Sequence, residues 1–336
     1  MKNARFDVTA IGNAIVDVLA RADDALLAKH NLAKGAMSLI DTATAERLYG
    51  IMGPGTERSG GSAGNTAAVI AGLGGRVAYI GKVAADQLGE VFTHDIRAIG
   101  VTYDTPPLED GLPTARCLIF VTPDAQRTMQ TYLGATTQLG PEDVNMDYIT
   151  SSKVLYLEGY LWDQPRAKKA MREAAVKAHE AGVKVSLTLS DAFCVARFRD
   201  EFIELAEKHV DILFANESEI LSLYQVATFD EALQRVRRHC DIAALTRSAK
   251  GSVVVSGDEV HVIDAVPNVR VVDTTGAGDA YAAGFLYALT RGQSLEMCGR
   301  LGGMMAAEVI SHYGARPEAD VKALAAALLL QRSVGR

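Results

Sequence analysis

The sequence is short of cysteine, of tryptophan and of any excess of positive charge. Its four cysteines, Cys117, Cys194, Cys240 and Cys298, stand singly in 336 residues with no CxxC pair. Neither a disulfide framework nor a zinc site is expected, and the thiols read as reduced core residues. Lys and Arg number 34 against 41 Asp and Glu, a formal charge of −7. That balance lacks the electrostatic footprint of a duplex-binding protein, so nucleic acid is not an expected partner. The longest wholly apolar run, Ala323–Leu330, is far short of the roughly 20 residues that span a bilayer, so no membrane partner is expected. Asp7, Asn13 and Asp17 follow the charged start Met1–Arg5, which leaves no signal-peptide core. A Walker A loop is missing too. Between Gly75 and Gly81-Lys82 there is one residue too many, and Val83 brings no hydroxyl for magnesium. What is present is a 49% hydrophobic content, enough to fill a core and to exclude disorder. The expectation is a cytoplasmic globular protein, one domain over residues 1–336.

Short apolar runs alternate with helical patterns, the mark of an α/β fold with a parallel sheet. Strands are expected at Phe6–Ile11, Val77–Ile80, Val154–Leu157, Val183–Leu189, Ile212–Ala215 and Ile242–Thr246. Val253–Ser256 and Val260–Ile263 flank Gly257-Asp258, a two-residue hairpin signal. Helices are expected over Asn65–Leu73, Leu88–Ile99, Arg166–Ala181, Glu217–Tyr224, Asp230–His239 and Gly278–Thr290. Residues 13–45 and 101–137 break the rhythm and read as extended chain with turns. In the second segment Ala115–Val121 and Thr128–Leu133 flank a Pro123-Asp124 turn. Two readings stand: a small β lid over the main sheet, or two ordinary edge strands. The termini, Met1–Ala4 and Gln331–Arg336, are expected to fray.

The most informative stretch is Asp273-Thr274-Thr275-Gly276-Ala277-Gly278-Asp279, which follows Val269–Val272, read as a strand, and precedes the last of those helices. The small residues 276–278 let a ligand approach the backbone, whose N–H groups face outward at a helix start. This makes an anion hole. Asp279 falls in the first helical turn, where the dipole favours its ionised form. A carboxylate beside such a nest suits a general base that takes the proton of a substrate hydroxyl during phosphoryl transfer. The plainer reading is a Gly-rich turn with an acidic helix-start residue. A dinucleotide fold is rejected. Tyr281 stands where its third glycine belongs, the motif lies near the wrong end of the chain, and Asp279 repels a pyrophosphate.

Together with Gly60-Gly61-Ser62-Ala63-Gly64-Asn65, the 273–279 run resembles the two signatures of the ribokinase-like (PfkB) sugar and nucleoside kinases. The resemblance extends over essentially the whole chain. It implies a three-layer α/β/α sandwich with a mostly parallel central sheet and a small β-sheet lid. It also implies ATP as co-substrate, Asp279 as catalytic base, and Gly276, Ala277 and Gly278 as the anion hole.

On the acceptor side, Gly12-Asn13-Ala14-Ile15-Val16-Asp17 follows the first strand. A short carboxylate there is placed to accept hydrogen bonds from vicinal sugar hydroxyls; the alternative for Asp17 is a solvated loop acid. The resemblance assigns Asn13, Asp17, Gly60, Gly61 and Asn65 to the sugar, although spacing alone makes Asn65 a helix N-cap. Glu158, Tyr160 and Trp162 close another strand end. The aromatics either stack on a base or belong to the core, and Glu158 resembles a substrate contact of ribokinases that nucleoside kinases often lack.

On the nucleotide side, Asn216-Glu217-Ser218-Glu219 matches the family's N-x-x-E motif. Asn216 and Glu219 share a helix face and can hold water on Mg²⁺, or simply form a capping box. Thr246, Arg247 and Gly251 resemble the nucleotide-binding loop, and Gly314-Ala315 the segment passing the adenine. Arg127 is a candidate clamp on the transferred phosphoryl, or a solvated hairpin arginine. Asp273 and Thr275 resemble the ligands of a monovalent cation, K⁺, found in several members. Within the family, Gly12–Asp17, Gly60–Asn65 and Glu217–Glu219 look most like bacterial adenosine-kinase-type members. The expected activity is therefore phosphorylation of adenosine or a related nucleoside by a monomer or homodimer. A free-sugar kinase (ribose, fructose or a keto-deoxy-gluconate) is next, and a non-catalytic nucleoside- or sugar-binding regulator stands as the alternative of another class.

Overall fold

The computed structural model describes residues 4–124 and 126–330. The expected fraying of Met1–Ala4 and Gln331–Arg336 concerns, Ala4 apart, residues outside those described.

In chain order the strands are β1 (Phe6–Ile11), β2 (Ile15–Arg21), β3 (Met37–Leu39), β4 (Gly55–Gly60), β5 (Val77–Ile80), β6 (Ala115–Val121), β7 (Arg127–Tyr132), β8 (Ser152–Glu158), β9 (Lys184–Thr188), β10 (Ile212–Asn216), β11 (Ile242–Thr246), β12 (Ser252–Ser256) and β13 (Glu259–Ile263). The described residues form an eight-stranded sheet ordered β13-β12-β11-β10-β9-β8-β1-β5 and a five-stranded sheet ordered β3-β7-β6-β2-β4. Every pairing from β11 to β5 is parallel. The hairpin at Gly257-Asp258 adds β12 and β13 antiparallel.

Successive residues of the parallel strands feed opposite cores. Val154 and Tyr156 on β8, with Ile212 and Phe214 on β10, pack on one face of the sheet. Leu155, Leu157, Leu213 and Ala215 pack on the other. Burial on both faces is why these strands read as continuous apolar runs. The first face is covered by helices Ser62–Gly72, Gln87–Ala98, Ala277–Leu289 and Leu295–Val309, through Ile70, Phe92, Phe285 and Leu301. The second is covered by Pro165–Glu180, Ala192–His209 and Glu217–Tyr224, through Met171, Phe202 and Leu223. The result is the expected three-layer α/β/α arrangement.

The second sheet settles the choice left open by the hairpin: β6 and β7 are inner strands of a separate small sheet, not edges of the large one. Val16, Val18, Leu118 and Phe120 attach it to the first core. Two local expectations fail. Within 13–45 the chain is not extended throughout, since it forms helix Asp24–Lys29 and enters helix Thr42–Tyr49. Each starts where an aspartate carboxylate, of Asp23 or Asp41, accepts a hydrogen bond from a first-turn amide. Val269–Val272 is irregular chain, and no strand precedes the anion loop after β13.

Because β1, β8, β10 and β11 run parallel, their C-terminal ends share one edge of the sheet, the usual place for a ligand. Asn13, Glu158, Asn216 and Thr246 all fall there.

Candidate active site

Helices Ser62–Gly72 and Ala277–Leu289 meet at their first turns. Each begins from a glycine with positive φ, Gly61 (84°) and Gly276 (76°), and neither has a side-chain cap. A Cβ on Gly61 would lie 2.0 Å from the Asn13 carbonyl oxygen, and one on Gly276 2.7 Å from Ala315 Cα. Only glycine fits either place. The first-turn amides at Gly276–Gly278 thus have no capping side chain over them, the arrangement that receives an anion.

Asp279 is the third residue of its helix. Its Oδ1 accepts from Ser62 Oγ (2.6 Å) and its Oδ2 from Asn65 Nδ2 (3.1 Å), while Thr66 Oγ1 donates to its carbonyl (3.2 Å). Burial pushes the Asp279 carboxyl up to about 6; the bonds from Ser62 and Asn65 oppose this, and the charge of Asp17 adds to it. The helix dipole alone favours the ionised form, but burial outweighs it. Asp279 is still mostly ionised at neutral pH and basic enough to take a proton. Asn65 is not an N-cap. It lies one turn inside the helix, and the cap position is Gly61.

Asp17, on β2, packs against Gly60, where an added Cβ would fall 2.7 Å from its Oδ2. Burial pushes this carboxyl up to about 6 as well, against the positive charges of Arg316 and Arg127. Asp17 and Asp279 repel each other, so the two carboxylates form one electrostatic unit.

The other acceptor-side residues are used by the fold. Glu158 Oε1 accepts from Asn13 Nδ2 (2.6 Å), and its Oε2 from the amides of Asn13 (3.3 Å) and Ala63 (2.8 Å). Only 1% exposed, Glu158 ties the end of β1 to the start of helix Ser62–Gly72. Burial pushes it up to about 7, against those three bonds. Asn13 Oδ1 accepts in turn from Thr136 Oγ1 (3.1 Å). Trp162 is fully buried, its ring tilted against Phe202 and its Nε1 donating to Glu201 (3.2 Å). It is a core aromatic and stacks on no ligand. Tyr160 is 37% exposed, its amide and hydroxyl held by Ser190.

On the nucleotide side the capping box is formed: Glu219 accepts from the Asn216 amide (2.9 Å) and from its Nδ2 (2.5 Å), and Asn216 Oδ1 accepts from the Glu219 amide. Burial pushes Glu219 up to about 7, the Asn216 amide working against it. Among the described residues no three His, Cys, Asp or Glu side chains gather into a metal cage. Glu219 is 5% exposed and both its oxygens accept from Asn216, so this pair would reach a magnesium ion only through water, of which that ion keeps several. Thr246 ends β11. Arg247 lies 3.9 Å over the Phe229 ring and pairs with Glu217 (3.0 Å), and its amide donates to the Gly251 carbonyl (2.7 Å).

Arg127, the first residue of β7, is not solvated. Its Nη1 pairs with Asp273 and reaches Thr275 Oγ1 (3.4 Å), both charged side chains being 8% exposed. Asp273 also accepts from the Thr275 amide (3.0 Å), Thr275 Oγ1 (2.7 Å) and the Gly314 amide (3.0 Å). Burial raises its carboxyl, but the bonds from Gly314 and Thr275 and the charge of Arg127 outweigh it and hold the group below its ordinary range. The oxygens expected to ligate K⁺ therefore already face a guanidinium, and this set does not fit an added ion.

Arg316, Ser59 and Asp95 carry no motif and were missed by sequence reasoning. Arg316 Nε donates to Asn65 Oδ1 (3.4 Å), Nη1 to Asp95 (3.2 Å) and Nη2 to Ser59 Oγ (2.8 Å). With Oδ1 turned to Arg316, the Asn65 amide presents Nδ2 to Asp279. The one signal for Arg316 was its place two residues after Gly314. Ser62 lay unremarked inside the quoted glycine motif.

Residues 44–322 match the model of the pfkB family of carbohydrate kinases. The chain superimposes on a crystal structure of a probable sugar kinase protein from Rhizobium etli with a TM-score of 0.89, at 54% identity over 97% of this chain and 99% of that one. It superimposes on the adenosine kinase of Sinorhizobium meliloti with a TM-score of 0.88, at 57% identity over 96% and 99%. Adenosine kinase of Saccharomyces cerevisiae is 28% identical over 331 residues, 91% of this chain and 95% of that protein.

Proposed function

The chain belongs to the pfkB family of carbohydrate kinases, and from that premise we propose that it transfers the γ-phosphoryl group of ATP to the primary hydroxyl of a ribose-containing nucleoside, adenosine foremost. The observation that carries this reading is Asp279 set beside the uncapped start of its own helix. Asp279 takes the proton of the acceptor hydroxyl, and the amides of Gly276, Ala277 and Gly278 receive the charge of the transferring group. Asp17, an acceptor of hydrogen bonds only, holds the vicinal hydroxyls of the ribose. Asn65, oriented by Arg316, keeps the base in line. Magnesium, when bound, neutralises the nucleotide phosphates; Asn216 and Glu219 hold its water shell. Thr246, Arg247, Gly251 and Gly314 serve the nucleotide. The small sheet acts as a lid that keeps water from competing with the acceptor.

Two observations favour a nucleoside over a free sugar. One is the 57% identity to the adenosine kinase of S. meliloti. The other is Glu158, whose oxygens are occupied by Asn13 and Ala63 and so do not serve the additional hydroxyls of a free sugar. The rival reading, a free-sugar kinase, draws on the R. etli protein at 54% identity. Four unpaired thiols suit a reducing compartment such as the cytoplasm. The test is an ADP-release panel with Mg·ATP across nucleosides and C5–C6 sugars. Adenosine is expected to outpace every free sugar at equal concentration. Turnover of a hexose or sugar acid alone overturns the nucleoside reading and leaves the kinase one standing.

A further inference from the structure

We propose that Arg127 is the resident counter-charge of the anion loop, in the place of a monovalent cation, so that the loop is set without K⁺ and only with the small sheet docked.

The Asp273 carboxylate has about four lone-pair sites. Four donors fill them. The Thr275 amide and hydroxyl bond to Oδ1, and the Gly314 amide and Arg127 Nη1 bond to Oδ2. No site is left for a metal ion. The charge is matched as well, since one guanidinium balances one carboxylate. Both side chains are 8% exposed, so water screens the pair little, and bulk cations have no open approach to it. A guanidinium keeps its charge at any working pH, and it arrives with a fixed orientation. It also brings something no diffusible ion brings. Arg127 belongs to β7 of the small sheet, whereas Asp273 opens the loop that ends in Asp279. Docking of the sheet and completion of the loop are thus one event.

The first arm of the test uses the full chain without substrate, melted in choline, sodium and potassium chloride at one ionic strength. The same melting temperature is expected in all three. A rise specific to K⁺ is what mass action requires of a bound ion and overturns the proposal. In the second arm ADP release is followed in the same salts with whichever acceptor the panel identifies. The rate is expected to be the same in each, and a K⁺-specific acceleration overturns the proposal. This arm rests on the kinase reading but not on adenosine, and the melting arm rests on neither. Arg127→Ala is expected to lose on the order of 10²-fold in rate, to regain part of it with added guanidinium, and, unlike the wild type, to have its melting temperature raised by K⁺. Arg127→Lys, which keeps the charge, is expected to retain more activity than Arg127→Ala. An Arg127→Ala protein as fast as wild type in choline chloride contradicts the proposal. So does a folded one that neither guanidinium nor K⁺ relieves while Arg127→Lys is equally impaired. Should Arg127→Ala not fold, the wild-type salt series decides alone.

Discussion

Two kinds of helix start stand along the same edge of the large sheet. The Glu217–Tyr224 helix closes its first turn with its own side chains, Asn216 and Glu219 bonding reciprocally. Helices Ser62–Gly72 and Ala277–Leu289 begin from glycine, which brings no capping side chain of its own; Glu158 takes the Ala63 amide of the first, and the Thr274 carbonyl the Ala277 amide of the second. Elsewhere Asp23, Asp41, Asp86, Asp191 and Ser294 cap their helices as Asn216 does. A missing cap costs about 1 kcal/mol; helix Pro165–Glu180 also goes without one, but from proline at its first position, whose missing N–H needs no cap. The two glycine starts face each other across Asp279, and at the second no side chain covers the amides of Gly276–Gly278. The closed start next door shows how easily the chain can satisfy such amides.

The sharpest break in that comparison removes the charge between the open starts. Asp279→Asn keeps the shape and leaves ATP binding by calorimetry near wild type, while kcat falls by at least about 10²-fold. A variant keeping more than about a tenth of wild-type kcat makes Asp279 a structural residue. Next comes Asp17→Ala, which leaves acceptor hydroxyls unpaired. A loss of about 1–3 kcal/mol in kcat/KM for the acceptor is expected, with ATP affinity unchanged. Unchanged acceptor kinetics take Asp17 out of the site.

Blocking an open start is the third step. Gly276→Ala sets a Cβ 2.7 Å from Ala315 at a positive φ, which costs about 1–2 kcal/mol in stability. Urea melting reads that cost, and kcat/KM for ATP falls by roughly tenfold with the displaced amides. Fourth is pH. Asp17 and Asp279 both have carboxyls raised to about 6 and both work ionised, so kcat/KM for the acceptor drops as pH falls through 6. Stability runs the other way. A raised folded pKa adds stability that is fully present below the unfolded value and lost as pH rises through about 6. Asp17→Asn is therefore expected to flatten the dependence of urea midpoints on pH between about 4 and 6. The smallest effects belong to the closed start. Asn216→Ala loses about 1 kcal/mol in urea melting, and Glu219→Gln raises the Mg²⁺ needed for half-maximal rate. An unshifted Mg²⁺ titration leaves that pair with a cap and no more.

The large sheet was legible because burial on both faces turns its strands into apolar runs, and the anion loop because its residues are contiguous. The Leu295–Val309 helix was not. Gly299, Gly302 and Gly303 weaken its helical pattern, yet a Cβ on Gly302 would lie 2.8 Å from the Tyr281 carbonyl oxygen and one on Gly284 2.7 Å from that of Leu301. Gly284 and Gly302 let the two helices pack closely, a tertiary reason invisible to propensity. In Ala192–His209 a non-helical Phe198 (φ −122°, ψ 26°) interrupts the period. At the site, Asp17, Gly60, Asn65 and Asp279 could be named from short motifs. Arg316 could not, because Ser59, Asn65 and Asp95, which give it meaning, lie more than 200 residues away in sequence. Trp162 shows the converse: an aromatic at a strand end looks the same in sequence whether it greets a ligand or fills a core.

The small sheet is joined to the large one by four stretches of chain: residues 12–14 after β1, Gly61 after β4, the chain before β6, and the chain after β7. A plate tethered at four points cannot flap loosely. It can only swing as one piece, about an axis near its tethers. Two of those tethers hold Asn13 and Gly61, and a Cβ on Gly61 has no room against Asn13. Any tilt of the plate therefore pulls on that close contact directly, so the angle of the plate and the seating of the Ser62–Gly72 helix start are mechanically one variable.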